Sequence, residues 1–157
     1  MSEIEAWISQ LQHGESAEAR ADAAEELGEF GGPAAVAALK TALSDPSETV
    51  QVSAVLALGE LRVSDAFDTL AAFLPHPEPN LRGAAAVALG QIGRPGTGAL
   101  LLPLEQDTVA AVRGAAAWAL GTLGDRSAYD AVARLARDPD PDVADAAAEA
   151  LRRLKRS

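Results

Sequence analysis

The sequence predicts an all-α chain, folded as an α-solenoid of five two-helix repeats, with about ten helices in a 31-residue period. Three observations carry this expectation. Leu27, Leu58, Leu89, Leu120 and Leu151 stand 31 residues apart. Four residues before each comes an alanine: Ala23, Ala54, Ala85, Ala116 and Ala147. Four residues earlier again come Ala19, Val50, Leu81, Val112 and Val143. Apolar positions at i, i+4 and i+8 form one face of a helix. The same face recurring at a fixed interval marks a repeat architecture.

The first half of each period carries its own column, Ile8, Leu39, Leu70, Leu101 and Val132. Each unit is therefore a helix A, a turn, a helix B and another turn. The units span about 1–31, 32–62, 63–93, 94–124 and 125–157, one domain over 1–157. The B helices are expected to begin at Ser16, Ser47, Glu78, Val109 and Asp140. Serine and aspartate accept the free N–H groups of a first helical turn. Pro79 and Pro141 follow, where a missing N–H is harmless.

Gly31, Gly93 and Gly124 fall just past the B helices, where a left-handed residue closes the last turn. Arg62 holds this place in the second unit, so a less regular turn is expected there. Gly28, Gly59, Gly90 and Gly121 sit near the ends of the B helices. Each costs about 1 kcal/mol of helix propensity against alanine. They are expected to let the next A helix approach closely. Pro103 falls inside the fourth A helix and removes one of its hydrogen bonds. With Gly96 and Gly98 it predicts a short, kinked or late-starting helix.

Composition narrows the function. The net charge is −10 and the pI about 4.5, which argues against nucleic acid, since phosphate binding draws on Lys and Arg. Residues 1–62 carry eleven acids against three bases, whereas residues 125–157 are balanced. There is no cysteine for a disulfide or thiolate site. The acidic N-terminus does not read as a signal peptide, and no apolar run reaches the roughly 20 residues of a membrane span. A cytoplasmic chain with no membrane association is expected.

The segment from Val112 to Gly124, Val-Arg-Gly-Ala-Ala-Ala-Trp-Ala-Leu-Gly-Thr-Leu-Gly, resembles the B helix of a short HEAT repeat of the phycobilin lyase type. Asp138-Pro139-Asp140-Pro141 before Val143 is similar to the turns of that family. The resemblance covers the whole chain. It implies a right-handed α-solenoid with B helices on the concave face and A helices on the convex one. HEAT repeats often carry an Asp and an Arg six residues apart that form a ladder between layers. Asp107 and Arg113 keep both members. His76–Arg82, Asp45–Gln51 and Asp138–Ala144 keep one each, and Arg20 has Gly14 at the matching place. A broken ladder with a structural role is expected.

Catalytic patterns are lacking. His13 and His76 lie in turns two units apart, without the His-Glu pairs of HEAT-repeat metalloenzymes such as deoxyhypusine hydroxylase. Gly93-Arg94-Pro95-Gly96-Thr97-Gly98 lacks the Gly-Lys-Ser/Thr ending of a phosphate loop and reads as a turn. Asp138, Asp140, Asp142 and Asp145 crowd a helix start, where negative charge suits the dipole. They lack the spacing of a calcium loop. No catalytic residue, metal or cofactor is expected.

In the family this chain resembles, the residue two before each repeat leucine faces the concave surface. Here that column reads Glu25, Leu56, Val87, Trp118 and Glu149. Asp22, Ser53, Ala84, Ala115 and Ala146 run on one side, and Glu29, Glu60, Gln91, Thr122 and Arg153 on the other. The candidate partner-binding residues are Leu56, Val87 and Trp118 with Ser53, Glu60, Ala84, Gln91, Ala115 and Thr122. An apolar centre containing a tryptophan fits a binding hot spot. Alternatively, Trp118 folds down to fill space beside Gly83, Gly114 or the weakened fourth A helix.

Trp7, Ile8 and Leu11 cover the first layer, and basic residues suit the end of the last helix. A monomer is expected. The leading functional expectation is a non-enzymatic module that holds a protein or peptide partner in the concave groove. One alternative is a bilin lyase subunit or chromophore-handling protein. The other is a designed or library-derived solenoid, which unequal repeats and Pro103 oppose.

Overall fold

The computed structural model describes residues 1–156. Helices α1 (Glu3–His13), α3 (Gly32–Ala42), α5 (Phe67–Ala71), α7 (Thr97–Leu101) and α9 (Tyr129–Leu135) form the A row. Helices α2 (Ala17–Phe30), α4 (Glu48–Glu60), α6 (Pro79–Ile92), α8 (Ala110–Leu123) and α10 (Pro141–Arg156) form the B row. No strand occurs among the described residues. Each B helix packs along its length on the next B helix, whereas neighbouring A helices touch sparsely. The closer row takes the inside of the curve, so the B row is concave.

The repeat columns are the core. Ala23, Ala54, Ala85, Ala116 and Ala147 are fully buried, as are Leu27, Leu58, Leu89 and Leu120. Leu39, Leu70, Leu101 and Val132 of the A row are equally enclosed. With alanine between layers and leucine within them, the helices stack without room for rings.

The B helices start where the sequence places them. Ser16 accepts from the Ala19 N–H at 3.0 Å, and Asp140 accepts from Asp142 and Val143 at 2.9 and 3.2 Å. Ser47 makes no side-chain cap bond; Asp45 Oδ1 accepts from its N–H instead, at 2.8 Å. At Pro103 the fourth A helix fails as expected. α7 ends at Leu101, and Leu102–Gln106 tightens into a 3-10 segment, because proline has no N–H for the α pattern.

Two expectations are corrected. The turn after α4 is regular although Arg62 stands where the others have glycine. Arg62 takes φ +51°, its N–H donates to Gly59 O at 2.9 Å, and the Val63 N–H donates to Leu58 O at 3.1 Å. This is the Schellman pattern, completed by a residue whose Cβ is strained in that conformation. The second correction concerns Gly28, Gly59, Gly90 and Gly121. They face the next B helix, not the next A helix. A Cβ on Gly59 would lie 2.5 Å from Ala88 Cα, and one on Gly121 2.6 Å from Ala150 Cβ. Each glycine is a notch that receives an alanine of the following B helix.

Candidate functional site: a concave groove on the B row

An open groove of about 570 Å³ crosses the middle of the B row. Its floor comes from α4 (Val52, Ser53, Leu56), α6 (Gly83, Ala84, Val87) and α8 (Ala111, Ala115), and Glu25, Glu48 and Asn80 stand at its edge. Leu56 and Val87 are half-buried, so each keeps part of its side chain free. Asn80 donates to Glu48 Oε1 at 3.0 Å and ties α6 to α4 along the rim. The floor is small and apolar because positions 52 and 83 carry Val and Gly and positions 84, 111 and 115 carry Ala. Gly83 is no notch: a Cβ there would meet only Ala115 Cβ, at an ordinary 3.8 Å.

Next to the groove is a second hollow of about 230 Å³, formed by Glu25, Glu29, Ser53, Leu56, Ala57 and Glu60. Ser53 Oγ donates to Glu25 Oε1 at 3.1 Å. The three glutamates are exposed, and none forms a salt bridge among the described residues. No group of three carboxylate or imidazole side chains among the described residues is arranged to hold a metal ion.

The structure brings Ser53, Leu56, Ala84, Val87 and Ala115 into one groove and Glu60 into the hollow beside it. Trp118 does not join them. It is half-buried, packs against the core, and lines a pocket of about 130 Å³ with Ala146, Glu149, Ala150 and Arg153 of α10. Gln91 and Thr122 line neither hollow. The Gln91 Oε1 is buried without a hydrogen bond, and Thr122 Oγ1 accepts from Arg153 at 3.3 Å. The sequence columns missed Val52, Gly83, Asn80 and Ala111. Their signal is the helical step: positions 49, 52, 53 and 56 share a face, and 80, 83, 84 and 87 repeat it one period later.

Behind the groove runs a ladder that spacing alone misassigned. The arginines pair 25 residues ahead, with the aspartate of the next unit. Arg20 binds Asp45 at 2.9 Å, Arg82 binds Asp107 at 2.8 Å and Arg113 binds Asp138 at 2.7 Å. Each pair is bidentate, the arrangement in which guanidinium and carboxylate match best. The six-residue spacing serves another bond: Arg20, Arg82 and Arg113 donate to the carbonyls of Gly14, His76 and Asp107. The ladder is thus complete at three junctions. At the second-to-third junction Gln51 replaces the arginine and His76 the aspartate. Gln51 still donates to Asp45 O at 2.7 Å, and His76 Nδ1 accepts from the Glu78 N–H at 3.0 Å. The arginine hydrogen bonds hold Asp45, Asp107 and Asp138 below the ordinary carboxylate range.

Stacked two-helix layers with a ladder behind a concave groove define a helical-repeat solenoid. The family model for HEAT repeats matches residues 4–76, 38–111 and 68–152 in overlapping segments, and the chain belongs to the HEAT-repeat family. It is similar to a chain in the complex of CpcE and CpcF of phycocyanin lyase from Nostoc sp. PCC7120. That likeness has a TM-score of 0.82 and 27% identity, and it covers 100% of this chain but 66% of that one. An engineered protein is similar at TM-score 0.70 and 22% identity, over 98% of this chain and 80% of the other. A designed armadillo repeat protein is similar at TM-score 0.66 and 20% identity, over 96% and 82%. These last two likenesses concern the fold alone. No curated protein matches the chain by sequence. No helix among the described residues is long and apolar enough to cross a membrane.

Proposed function

We propose that this chain is a non-enzymatic interaction module that holds a protein partner in the concave groove. One observation carries the reading: an open, apolar hollow of about 570 Å³ on the face where all the central B helices meet. Its floor offers Leu56, Val87, Ala84 and Ala115 to a partner's apolar side chains, and Trp118 extends the same face towards α10. Glu60 supplies a polar rim on one side, in line with Gln91 and Thr122, and Ser53 adds a hydroxyl on the other. Recessed apolar centres with polar rims are where binding energy concentrates.

A groove-filling substitution tests the reading. Gly83→Gln adds a side chain over open floor without touching a buried neighbour. Partners captured by the wild-type chain and identified by mass spectrometry should be lost with Gly83→Gln. They should be kept with Leu100→Gln on the A row. Equal capture by both variants refutes the groove as the binding face.

A second reading, a component of a phycobilin lyase-like assembly, is supported by the whole-chain likeness to the phycocyanin lyase complex. Titration with free bilin tests it, and an unchanged absorbance spectrum counts against it.

A further inference from the structure

We infer that the groove is polar in the directional sense. It takes a partner segment with a lysine or arginine at one end, lodged among Glu25, Glu29 and Glu60, and apolar side chains that follow over Leu56 and Val87. This rests on the protein-binding reading above and specifies the partner's chemistry.

Charge complementarity is the first argument. Along one rim of the B row the residues run Glu29, Glu60, Gln91, Thr122, Arg153. The rim therefore passes from negative through neutral to positive. The negative end is uncompensated, since the three glutamates of the hollow have no cationic neighbour within salt-bridge reach among the described residues. At the positive end Arg153 already faces Glu149 at 3.7 Å. The unmet demand is for a cation at the first-repeat end. The chemistry of the hollow then selects the kind of cation. Its carboxylates are not arranged to share a metal ion. A hollow of about 230 Å³ has room for one long side chain. Leu56 and Ala57 line it and suit the methylene stem of lysine or arginine, which buries readily while its head stays polar.

The second argument is continuity. Ser53 and Leu56 belong to both the acidic hollow and the apolar groove. A segment anchored by its cation at Glu25 therefore passes directly onto the apolar floor. Packed helices lie about 8–10 Å apart, and an extended chain advances roughly 3.3 Å per residue. Glu25 on α2 and Val87 on α6 are two such spacings apart, so the basic residue and the apolar residue over Val87 stand about five to six positions apart in an extended segment.

A random dodecapeptide library displayed on phage and panned on the full chain tests this, with the selected peptides resynthesised and measured by fluorescence anisotropy. The expected peptides carry Lys or Arg about five to six positions from Leu, Val or Ile. They should bind about tenfold more weakly to the triple variant Glu25→Gln, Glu29→Gln, Glu60→Gln, as three exposed charge contacts imply. Their affinity for the wild type should fall with added salt, and that dependence should shrink in the triple variant. These three sites are exposed, so the variant is expected to keep the wild-type circular dichroism and melting curve. Peptides that Gly83→Gln abolishes but that carry no basic residue, or that bind the triple variant unchanged, overturn the inference and leave the groove reading standing. Peptides indifferent to Gly83→Gln overturn both.

Discussion

Two glycine-to-alanine substitutions, 24 positions apart in sequence, should move stability in opposite directions. At Gly59 the added Cβ would lie 2.5 Å from Ala88 Cα and 2.6 Å from Ala88 Cβ. Ordinary contact begins at 3.4 Å, so α4 and α6 must part by roughly 0.9 Å against backbone atoms that cannot rotate away. Overpacking of this kind costs about 1–3 kcal/mol, and a clash with backbone belongs at the upper end. Alanine returns about 1 kcal/mol of helix propensity. The net loss is about 2 kcal/mol, or a fall in Tm of about 4–8 °C for a chain of this size. At Gly83 the added Cβ meets only Ala115 Cβ at 3.8 Å. Propensity then acts alone, and Tm should rise by about 2–4 °C. Gly121→Ala and Gly90→Ala should follow Gly59→Ala. Gly28→Ala should be milder, since its nearest contact is the Ala57 methyl at 2.9 Å. Thermal melts followed by far-ultraviolet circular dichroism measure all five. A Gly59→Ala chain as stable as Gly83→Ala would refute the notch.

Other expectations follow from the same geometry. Arg62→Gly relieves a left-handed residue at φ +51° and should add about 0.5–1 kcal/mol, read from a urea midpoint. Asp45, Asp107 and Asp138 have pKa values lowered by their arginines. Their contribution is therefore present above the unfolded value of about 3.9 and is lost as pH falls through the lower folded values. Urea midpoints should drop on the acid side of roughly pH 4, and Asp107→Asn should flatten that drop. The paired substitution Gln51→Arg, His76→Asp rebuilds the missing rung and should raise Tm above wild type, while Gln51→Arg alone should not. Trp118→Ala, which removes a half-buried ring packed against the core, should cost about 1–2 kcal/mol. An unchanged melting curve combined with lost partner binding would instead make Trp118 a contact residue.

The period, the helix starts and the weak fourth A helix were legible in the sequence because each depends on residues close in the chain. Leucine and alanine columns report burial directly, and Pro103 acts through its own missing N–H. What the sequence hid was which surfaces meet. The ladder looked broken because its members were matched six residues apart within each unit, whereas each arginine reaches across the layer to the aspartate 25 positions on. The notch glycines were legible as close approaches, yet nothing in their spacing told a B neighbour from an A neighbour. Arg62 looked like a defect because propensity disfavours it; the hydrogen bonds of the turn override that preference. At the site, the column containing Leu56 and Val87 was legible. Val52 and Gly83, which flank Ser53 and Ala84 on the floor, were missed because only three columns of the B-helix face were followed.

The notches also give the molecule a mechanical character. Four glycine–alanine seats lock the B row backbone to backbone, so that row can neither stretch nor slide cheaply. The A row has sparse mutual contacts and one proline-tightened 3-10 segment, and side-chain ion pairs such as Lys40–Asp65 span its layers instead. The B row is therefore the stiff edge of the solenoid. Between α4 and α6, where no Arg–Asp rung braces the layers, the Gly59–Ala88 seat and the Asn80–Glu48 bond hold the groove's floor in place.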